Sequence, residues 1–210
     1  MKAATAFYLV RHALKQEGAG DVPISAEGGR QAKLTAAYFR HRPIAAVVSS
    51  PLKRAVQTAA AIAEATGAPL SEDARLRERA NWGDLPGQTF AQFVAMWERC
   101  TADPGYAPPV GDSARGAGER MGACLSELAA AHPGKRIVVV THGGVMTDFL
   151  ACAIAEPDLT AVHPRFAEER SRLVPECSIT QASCEGGKFA LGEFASVAHL
   201  VEGPGPGSTQ

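Results

Sequence analysis

Two apolar runs that each end in a histidine decide the fold of this chain: AFYLVRH at residues 6–12 and IVVVTH at residues 137–142. Continuous apolar runs of this length are typical of strands buried on both faces of a parallel sheet. The segments between them carry helical periodicity, and alternating strands and helices favour an α/β fold. Ligands of such folds bind beside the carboxyl ends of the strands, where His12 and His142 are therefore expected.

The sequence around these runs predicts one domain, residues 1–202. A Gly/Pro/Ser-rich tail at 203–210 is expected to be disordered. Residues 80–113 hold several Pro and Gly around one amphipathic stretch, 90–100, and are expected to form an excursion over the sheet. Further strands are predicted at 44–48, around 69–75, and at 178–183 and 189–194 with a Gly-Gly hairpin turn. Helices are predicted from the N-cap Ser25 to Pro43, from Ser50-Pro51 to Ala65, and at 117–131 and 145–155.

Composition excludes several classes of protein. The 210 residues carry 21 Lys and Arg against 22 Asp and Glu, a net charge of −1, so a strongly basic nucleic-acid-binding surface is not expected. No apolar stretch is long enough to predict a membrane span. Five cysteines without a Cys-x-x-Cys pair favour reduced thiols in a cytoplasmic protein. A pairing of Cys177 with Cys184 across a hairpin stays open.

The six histidines divide into two groups. His12 and His142 each end a central apolar run, whereas the others lie in polar, helix-end or terminal contexts. A single such histidine is more often a core residue with its hydrogen bonds satisfied. For two histidines at equivalent strand ends, a functional pair and two structural core residues are about equally expected. Zinc-ligand spacing, a Gly-x-Ser-x-Gly elbow and a phosphate loop are all missing from the sequence. A histidine nucleophile with cationic partners remains, with Arg11 beside His12 and Arg54 near a helix start that favours anions.

Five motifs give the chain a family resemblance. LVRH at 9–12 resembles the Leu-Val-Arg-His-Gly signature of the histidine phosphatase superfamily, the phosphoglycerate-mutase-like proteins. SSPLKRAVQT at 49–58 is similar to that family's Ser-x-x-x-Arg-Ala-x-x-Thr motif. Three further stretches, in the family's order, resemble its remaining motifs: LRE at 76–78 with NWG at 81–83, GDS at 111–113 with Arg120, and VTHGG at 140–144.

The resemblance implies a three-layer α/β/α fold with a mostly parallel sheet and no metal or other cofactor. It implies a phosphate-binding pocket of Arg11, His12, Arg54, His142 and Gly143. His12 would be the nucleophile that becomes phosphorylated, and a cationic His142 would add positive charge. Glu78 would be the proton donor, and the nearby carboxylates Glu72 and Asp73 are fallback candidates.

Two departures from the family pattern bear on the activity. Ala13 stands where glycine is usual, which is tolerable if the backbone angle there is ordinary. Residues 14–18, LKQEG, lack the Glu/Gln-Ser/Thr-x-Trp-Asn segment and its phosphate-contacting Asn. This weighs against a mutase, which must retain its intermediate. Lys15 either replaces part of the missing contact or is a solvated loop lysine, and the latter is expected.

The sequence predicts an enzyme that hydrolyses small phosphate monoesters, with no nucleic-acid or membrane partner and with a homodimer left open. A phosphoglycerate mutase and a retired, non-catalytic phospho-ligand-binding module are the alternatives. Specificity is expected to lie in residues 15–21 and in the excursion. The large apolar side chains of the excursion either wall the pocket or bury its helix against the domain, and the second role is expected for most of them: Trp82, Phe90, Phe93, Met96 and Trp97.

Overall fold

A six-stranded sheet forms the centre of the protein, which a computed structural model describes over residues 3–201. The predicted disordered tail, 203–210, lies outside the described residues. The strand order is β3-β2-β4-β1-β5-β6. Pairs β1–β4, β2–β4 and β2–β3 are parallel, and β5 and β6 add an antiparallel edge. The strands are β1 (Thr5–Arg11), β2 (Ala46–Ser49), β3 (Leu70–Glu72), β4 (Arg136–Thr141), β5 (Ile179–Glu185) and β6 (Lys188–Leu191).

Seven helices accompany the sheet in the described part of the chain. Two of them, the last two in chain order, were not foreseen from the sequence. The helices are α1 (Ala26–Phe39), α2 (Lys53–Thr66), α3 (Phe90–Ala102), α4 (Ala114–Ala131), α5 (Gly143–Ala153), α6 (Glu156–Val162) and α7 (Phe166–Glu169).

The strands bury alternate side chains in two separate cores. Phe7 and Leu9 of β1 pack on the face covered by α4 and α5, whereas Tyr8 and Val10 pack on the face covered by α1 and α2. Alternation with a period of two follows from strand geometry, and here both sets are apolar because both faces are covered. The predicted three-layer α/β/α arrangement with a mostly parallel sheet is therefore confirmed.

Local signals located most elements within a few residues. Ser25 caps α1 by accepting a hydrogen bond from the backbone N–H of Gly28, as predicted. The Gly186-Gly187 turn joins β5 to β6 with both φ angles positive, which glycine adopts without strain. The strand predicted around 69–75 is shorter than expected, since a 3₁₀ turn at Ala74–Leu76 follows β3.

One other expectation is wrong, and one open alternative is decided. Ser50-Pro51 does not begin α2, which starts at Lys53, and the Ser50 hydroxyl instead bonds a histidine described below. Cys177 and Cys184 do not face each other across a hairpin. Cys177 donates its backbone N–H to Arg11, at the carboxyl end of β1, whereas Cys184 pairs with Thr5 at the opposite end. All five cysteines are free thiols.

Candidate active site

The carboxyl ends of three neighbouring strands bring the predicted site together. His12 follows β1, Ser50 follows β2 and His142 follows β4, and β1 and β4 pair in parallel register. The backbone N–H of His12 donates to the carbonyl of Thr141, so the ladder continues to the histidine itself. As a result the His12 and His142 rings lie 5.1 Å apart between centroids. The strand-end pairing inferred from the sequence is confirmed.

Two hydrogen bonds define which nitrogen of His12 carries the proton. Nδ1 lies 2.8 Å from the carbonyl of Ala13, which can only accept, so Nδ1 holds the hydrogen. The Nε of Arg54 donates to Nε2 at 3.2 Å, so Nε2 presents its lone pair. Burial, and next the charges of Arg54 and Arg11, hold the pKa of His12 well below its usual 6.5. His12 is therefore a neutral imidazole with a free-base Nε2.

Arg54 is the cation nearest to this nitrogen. It is the second residue of α2 and is 3% exposed. Its Nη2 donates to Asn81, and its Nη1 is buried without a hydrogen-bond partner within residues 3–201. A buried guanidinium with a free donor facing a cavity is suited to an anion, because the alternative is an unpaired charged group.

His142 differs from the expectation of a cationic residue. It is 1% exposed, and burial, followed by the charges of His12, Arg54 and Arg11, lowers its pKa well below 6.5. His142 is thus neutral in the ligand-free protein. Its Nε2 lies 2.8 Å from the Ser50 hydroxyl, and its Nδ1 is buried with no partner in the described part of the chain. If Ser50 donates, the neutral ring can still offer the Nδ1 hydrogen to an anion.

Glu78 reaches the first turn of α5 from the neighbouring loop. Its two carboxylate oxygens accept backbone N–H groups from Arg79, Gly144 and Val145 at 2.8 to 2.9 Å. A helix N-terminus leaves such donors unpaired and attracts negative charge, which explains why the carboxylate lies there. A carboxylate offers about four acceptor positions, so three bonds leave one position towards the cavity.

Arg120 fixes the backbone beneath Glu78. Its Nη2 donates to the carbonyl of Glu78 at 3.1 Å, its Nη1 donates to the carbonyl of Arg75, and its Nε pairs with Asp112. The fallback carboxylates do not reach the cavity: Asp73 instead caps the 3₁₀ turn and pairs with Arg75. Of the three carboxylates considered from the sequence, Glu78 is therefore the one that lines the cavity.

Arg11 is less free than predicted. Its Nη1 donates to the carbonyl of Val174, and its Nη2 pairs with the carboxylate of Glu176. Its Nε is buried and without a partner among the described residues. Glu176 was not foreseen, because it lies in a stretch without any motif, and only the tertiary fold brings it to Arg11.

A cavity of about 350 Å³ opens above these groups. Its lining includes Arg11, His12, Arg54, Glu78 and Gly143, the first residue of α5. His142 is not part of the lining. Lys15 is part of the lining as well, and its ammonium donates to the carbonyls of Gln16 and Gly18. Partial burial, and then the charge of Arg54, lower the pKa of Lys15, so it is not the solvated lysine that was expected. A phosphate-sized anion entering here meets positive charge and free N–H donors.

The excursion forms the opposite wall, contrary to the expectation that most of its large apolar side chains are buried against the domain. Cys100 is the buried residue of α3, whereas the aromatic rings face the cavity. These rings are Trp82, Phe90, Phe93 and Trp97. Met96 does not line the cavity and contacts Gln88.

A buried ion pair beside the site was also missed. Arg79 and Asp148 are joined at 3.1 and 3.2 Å, with side chains 1% and 0% exposed. Burial raises the pKa of Asp148 to about 7, although Arg79 and Arg170 lower it. The only sequence signal was the position of Asp148 within an otherwise apolar helix, which predicts a paired carboxylate without naming its partner.

Ala13, the departure after His12, is accommodated without strain. Its side chain is fully buried, its φ is not positive, and its N–H donates to the Thr58 hydroxyl at 3.0 Å. Within residues 3–201, no cluster of three or more His, Cys, Asp or Glu side chains is arranged so that it could bind a metal ion. The same residues contain no helix of sufficient length and hydrophobicity to cross a membrane.

Comparisons with known proteins agree with this geometry. The sequence family described as histidine phosphatase superfamily, branch 1, matches residues 7–196. A protein named "Probable phosphoglycerate mutase GpmB" from Yersinia pestis is 32% identical over 186 residues, covering 83% of this chain and 82% of that protein.

Two solved structures extend the comparison. A mycobacterial glucosyl-3-phosphoglycerate phosphatase with inorganic phosphate is 25% identical with a TM-score of 0.71, covering 93% of this chain and 99% of the other. A phosphoserine phosphatase from Entamoeba histolytica has a TM-score of 0.72 at 21% identity, covering 94% and 100%, which shows a shared fold alone. The chain belongs to the histidine phosphatase superfamily, whose members act on phosphate as phosphatases or mutases.

Proposed function

We propose that this chain is a metal-independent phosphatase that hydrolyses phosphate monoesters through a phosphohistidine on Nε2 of His12. The observation that carries the proposal is the state of His12. Its hydrogen is held at Nδ1 by Ala13, and its Nε2 lone pair lies in a cavity beside Arg54. A neutral imidazole with a lowered pKa stays unprotonated at neutral pH, which nucleophilic attack requires.

In the first step the phosphate replaces His12 as the partner of Arg54. The free Nη1 of Arg54, the Nε of Arg11 and the Nδ1 of His142 are the donors for its oxygens. Nε2 of His12 then forms a bond to phosphorus as the bond to the leaving oxygen breaks. Because an alkoxide is a poor leaving group, Glu78 takes up a proton from solvent as the anionic substrate binds beside it. It gives this proton to the leaving oxygen from the one carboxylate position left open by its three backbone bonds.

In the second step water hydrolyses the phosphohistidine. Glu78, now a carboxylate, takes a proton from the water as its oxygen attacks phosphorus, and the bond to Nε2 breaks. Inorganic phosphate leaves, His12 regains its lone pair and Glu78 regains its proton. Arginines and neutral donors supply the charge stabilisation throughout, so each step is written without a metal ion.

The test is hydrolysis of p-nitrophenyl phosphate in the presence of EDTA, with vanadate as inhibitor. His12→Asn removes the nucleophile and should lower kcat/KM on the order of 10⁴-fold or more. Rapid denaturation during turnover should trap phosphate on the wild-type chain and not on the variant. The matched control is His41→Asn, since His41 is exposed and does not line the cavity. Retained turnover in His12→Asn would refute the mechanism.

A mutase is the second candidate, favoured by the name of the 32% identical relative. A mutase returns the phosphoryl group to a bound intermediate. It must therefore keep that intermediate in the site and keep water away from the phosphohistidine. The loop after His12 lacks the family segment that contacts phosphate, and Lys15 supplies the cation there. Conversion of 3-phosphoglycerate to its isomer faster than release of inorganic phosphate would establish the mutase instead.

A further inference from the structure

The aromatic wall of the cavity is a continuous series of rings. We use this name for Trp82, Phe90, Phe93 and Trp97, whose successive ring centroids are 5.1, 6.5 and 5.9 Å apart. Aromatics make up 6% of the chain, and both of its tryptophans are in this wall. Such a density of rings in a site for a charged group implies that the rest of the ligand is apolar.

The Trp97 end of the wall is held in place from behind. The guanidinium of Arg79 stacks 3.8 Å from the centre of the Trp97 ring, and it donates to the carbonyl of Trp97 and the hydroxyl of Thr101. Arg79 is itself locked by the buried carboxylate of Asp148. A preformed aromatic surface needs little ordering when a ligand binds, and this favours affinity.

The wall begins where the leaving group must lie. A Cβ on Gly144 would be 2.6 Å from Oε1 of Glu78 and 2.6 Å from Cη2 of Trp97, so both side chains touch this glycine from the cavity side. Glu78 and Trp97 are thus neighbours. An alcohol that receives its proton from Glu78 extends along Trp97 and Phe93.

Polar groups surround the wall without interrupting it. Glu98 and Arg172 approach to 3.7 Å at the mouth, with side chains 62% and 82% exposed. Lys15 and Glu176 lie with the phosphate-binding groups. The charged side chains therefore lie at the mouth and with the phosphate-binding groups, and the aromatic rings are the large apolar side chains of the lining, beside the uncharged polar residues Asn81 and Ser171.

From these contacts we infer that the aromatic wall is a subsite for a planar apolar leaving group, so the preferred substrates are phosphate monoesters of aryl and arylalkyl alcohols. The inference rests on the proposed function, because it assigns the leaving-group side of the same reaction. The relatives whose names state a substrate act on polar sugar, glycerate or amino-acid phosphates. The aromatic wall points to a different class for this chain.

A binding experiment tests the subsite without any catalysis. Phosphonates keep a P–C bond that the enzyme cannot hydrolyse, and Trp82 and Trp97 are intrinsic fluorescent reporters inside the cavity. We expect 2-phenylethylphosphonate to bind on the order of 10- to 100-fold more tightly than ethylphosphonate, since only the former covers the rings. Equal affinities would overturn the inference.

Variants of the wall locate the preference. Phe93→Ala should reduce it on the order of 10-fold while affinity for ethylphosphonate stays unchanged. Phe90 is 57% exposed, so Phe90→Ala folds with little cost and gives a second, smaller reduction. The matched control is Tyr106→Ala, on the same excursion but outside the cavity, where Tyr106 stacks on Arg99. A preference that survives in both phenylalanine variants would refute the assignment.

Hydrolysis of 2-phenylethyl phosphate and ethyl phosphate separates this inference from the proposed function. The two alcohols are leaving groups of the same type, so the ratio of their kcat/KM values reports contact with the ring. Hydrolysis of both at equal rates leaves a phosphatase and overturns the subsite. A phosphonate preference that Phe93→Ala removes, without hydrolysis of either ester, supports the subsite and overturns the phosphatase.

Discussion

Replacement of Gly144 by alanine is the sharpest test of how the site is held together. Gly144 is the second residue of α5, and an added Cβ would lie 2.6 Å from both Glu78 Oε1 and Trp97 Cη2. Alanine favours a helix over glycine by up to about 1 kcal/mol. Displacing the Glu78 carboxylate weakens its bonds to Gly144 and Val145, each worth about 1.5–3 kcal/mol with a charged acceptor. The variant should therefore lose about 2 kcal/mol in the free energy of unfolding.

Activity should fall further than stability accounts for. With Glu78 displaced, kcat/KM for an alkyl phosphate should drop on the order of 10²-fold, because proton donation to the leaving oxygen is lost. The drop should be smaller for p-nitrophenyl phosphate, whose phenolate leaves without a proton. Urea unfolding and steady-state kinetics measure the two effects.

Gly122→Ala is the matched control for this substitution. Gly122 lies within α4, and an added Cβ would make an ordinary contact of 3.6 Å with Phe149. It should be as stable as the wild type or more so, by up to about 1 kcal/mol, and fully active. If Gly144→Ala behaved in the same way, the packing of Glu78 and Trp97 on this glycine would be refuted.

The remaining predictions concern buried titratable groups. Because the pKa values of His12 and His142 are lowered, the unfolded chain binds protons that the folded chain excludes. The free energy of unfolding should therefore fall below pH 6.5, by up to about 1.4 kcal/mol per pH unit for each histidine. The difference between urea titrations of wild type and His12→Asn isolates the contribution of His12. The contribution of Asp148, whose raised pKa of about 7 changes stability with pH in the opposite direction, is present in both proteins and cancels. The lowered pKa of His12 should also leave the pH–rate profile of kcat/KM without a His12 inflection near pH 6.5, once the ionisation of the substrate's own phosphate is accounted for. Asp148→Ala leaves Arg79 as a buried unpaired cation and should cost about 3–5 kcal/mol in urea unfolding, with a smaller loss in Asp148→Asn, which keeps one acceptor oxygen.

The strand-end part of the site was predictable because it depends on local pattern. An apolar run in the sequence predicts a buried parallel strand, and the residue after that strand must lie at the carboxyl edge of the sheet. The position of His12 and His142 at this edge needed no further information, whereas their interpretation as functional residues also needed the family resemblance. The protonation state of His142 did depend on the fold, because it follows from full burial beside His12 and two arginines.

The other part of the site depends on contacts between distant segments. Glu176 reaches Arg11 across 165 positions of sequence, and Asp148 reaches Arg79 across 69. No periodicity encodes such pairs. The same holds for the excursion: the amphipathic pattern of α3 predicts an apolar face, and whether that face covers the domain or a cavity depends on where the helix is placed.

A single helix terminus connects the phosphate end of the cavity to its aromatic end. The first turn of α5 binds the Glu78 carboxylate through its N–H groups, and Gly144 in that turn allows Trp97 to approach. Asp148, four residues later, lies on the same face of the helix and holds Arg79, which stacks on Trp97. Since Glu78 and Arg79 are consecutive, any shift of their segment would move the Glu78 carboxylate and the ring stack together. In the proposed mechanism, the position of Glu78 relative to Trp97 is thus set by one turn of one helix, in which Gly144 lets the two side chains lie side by side.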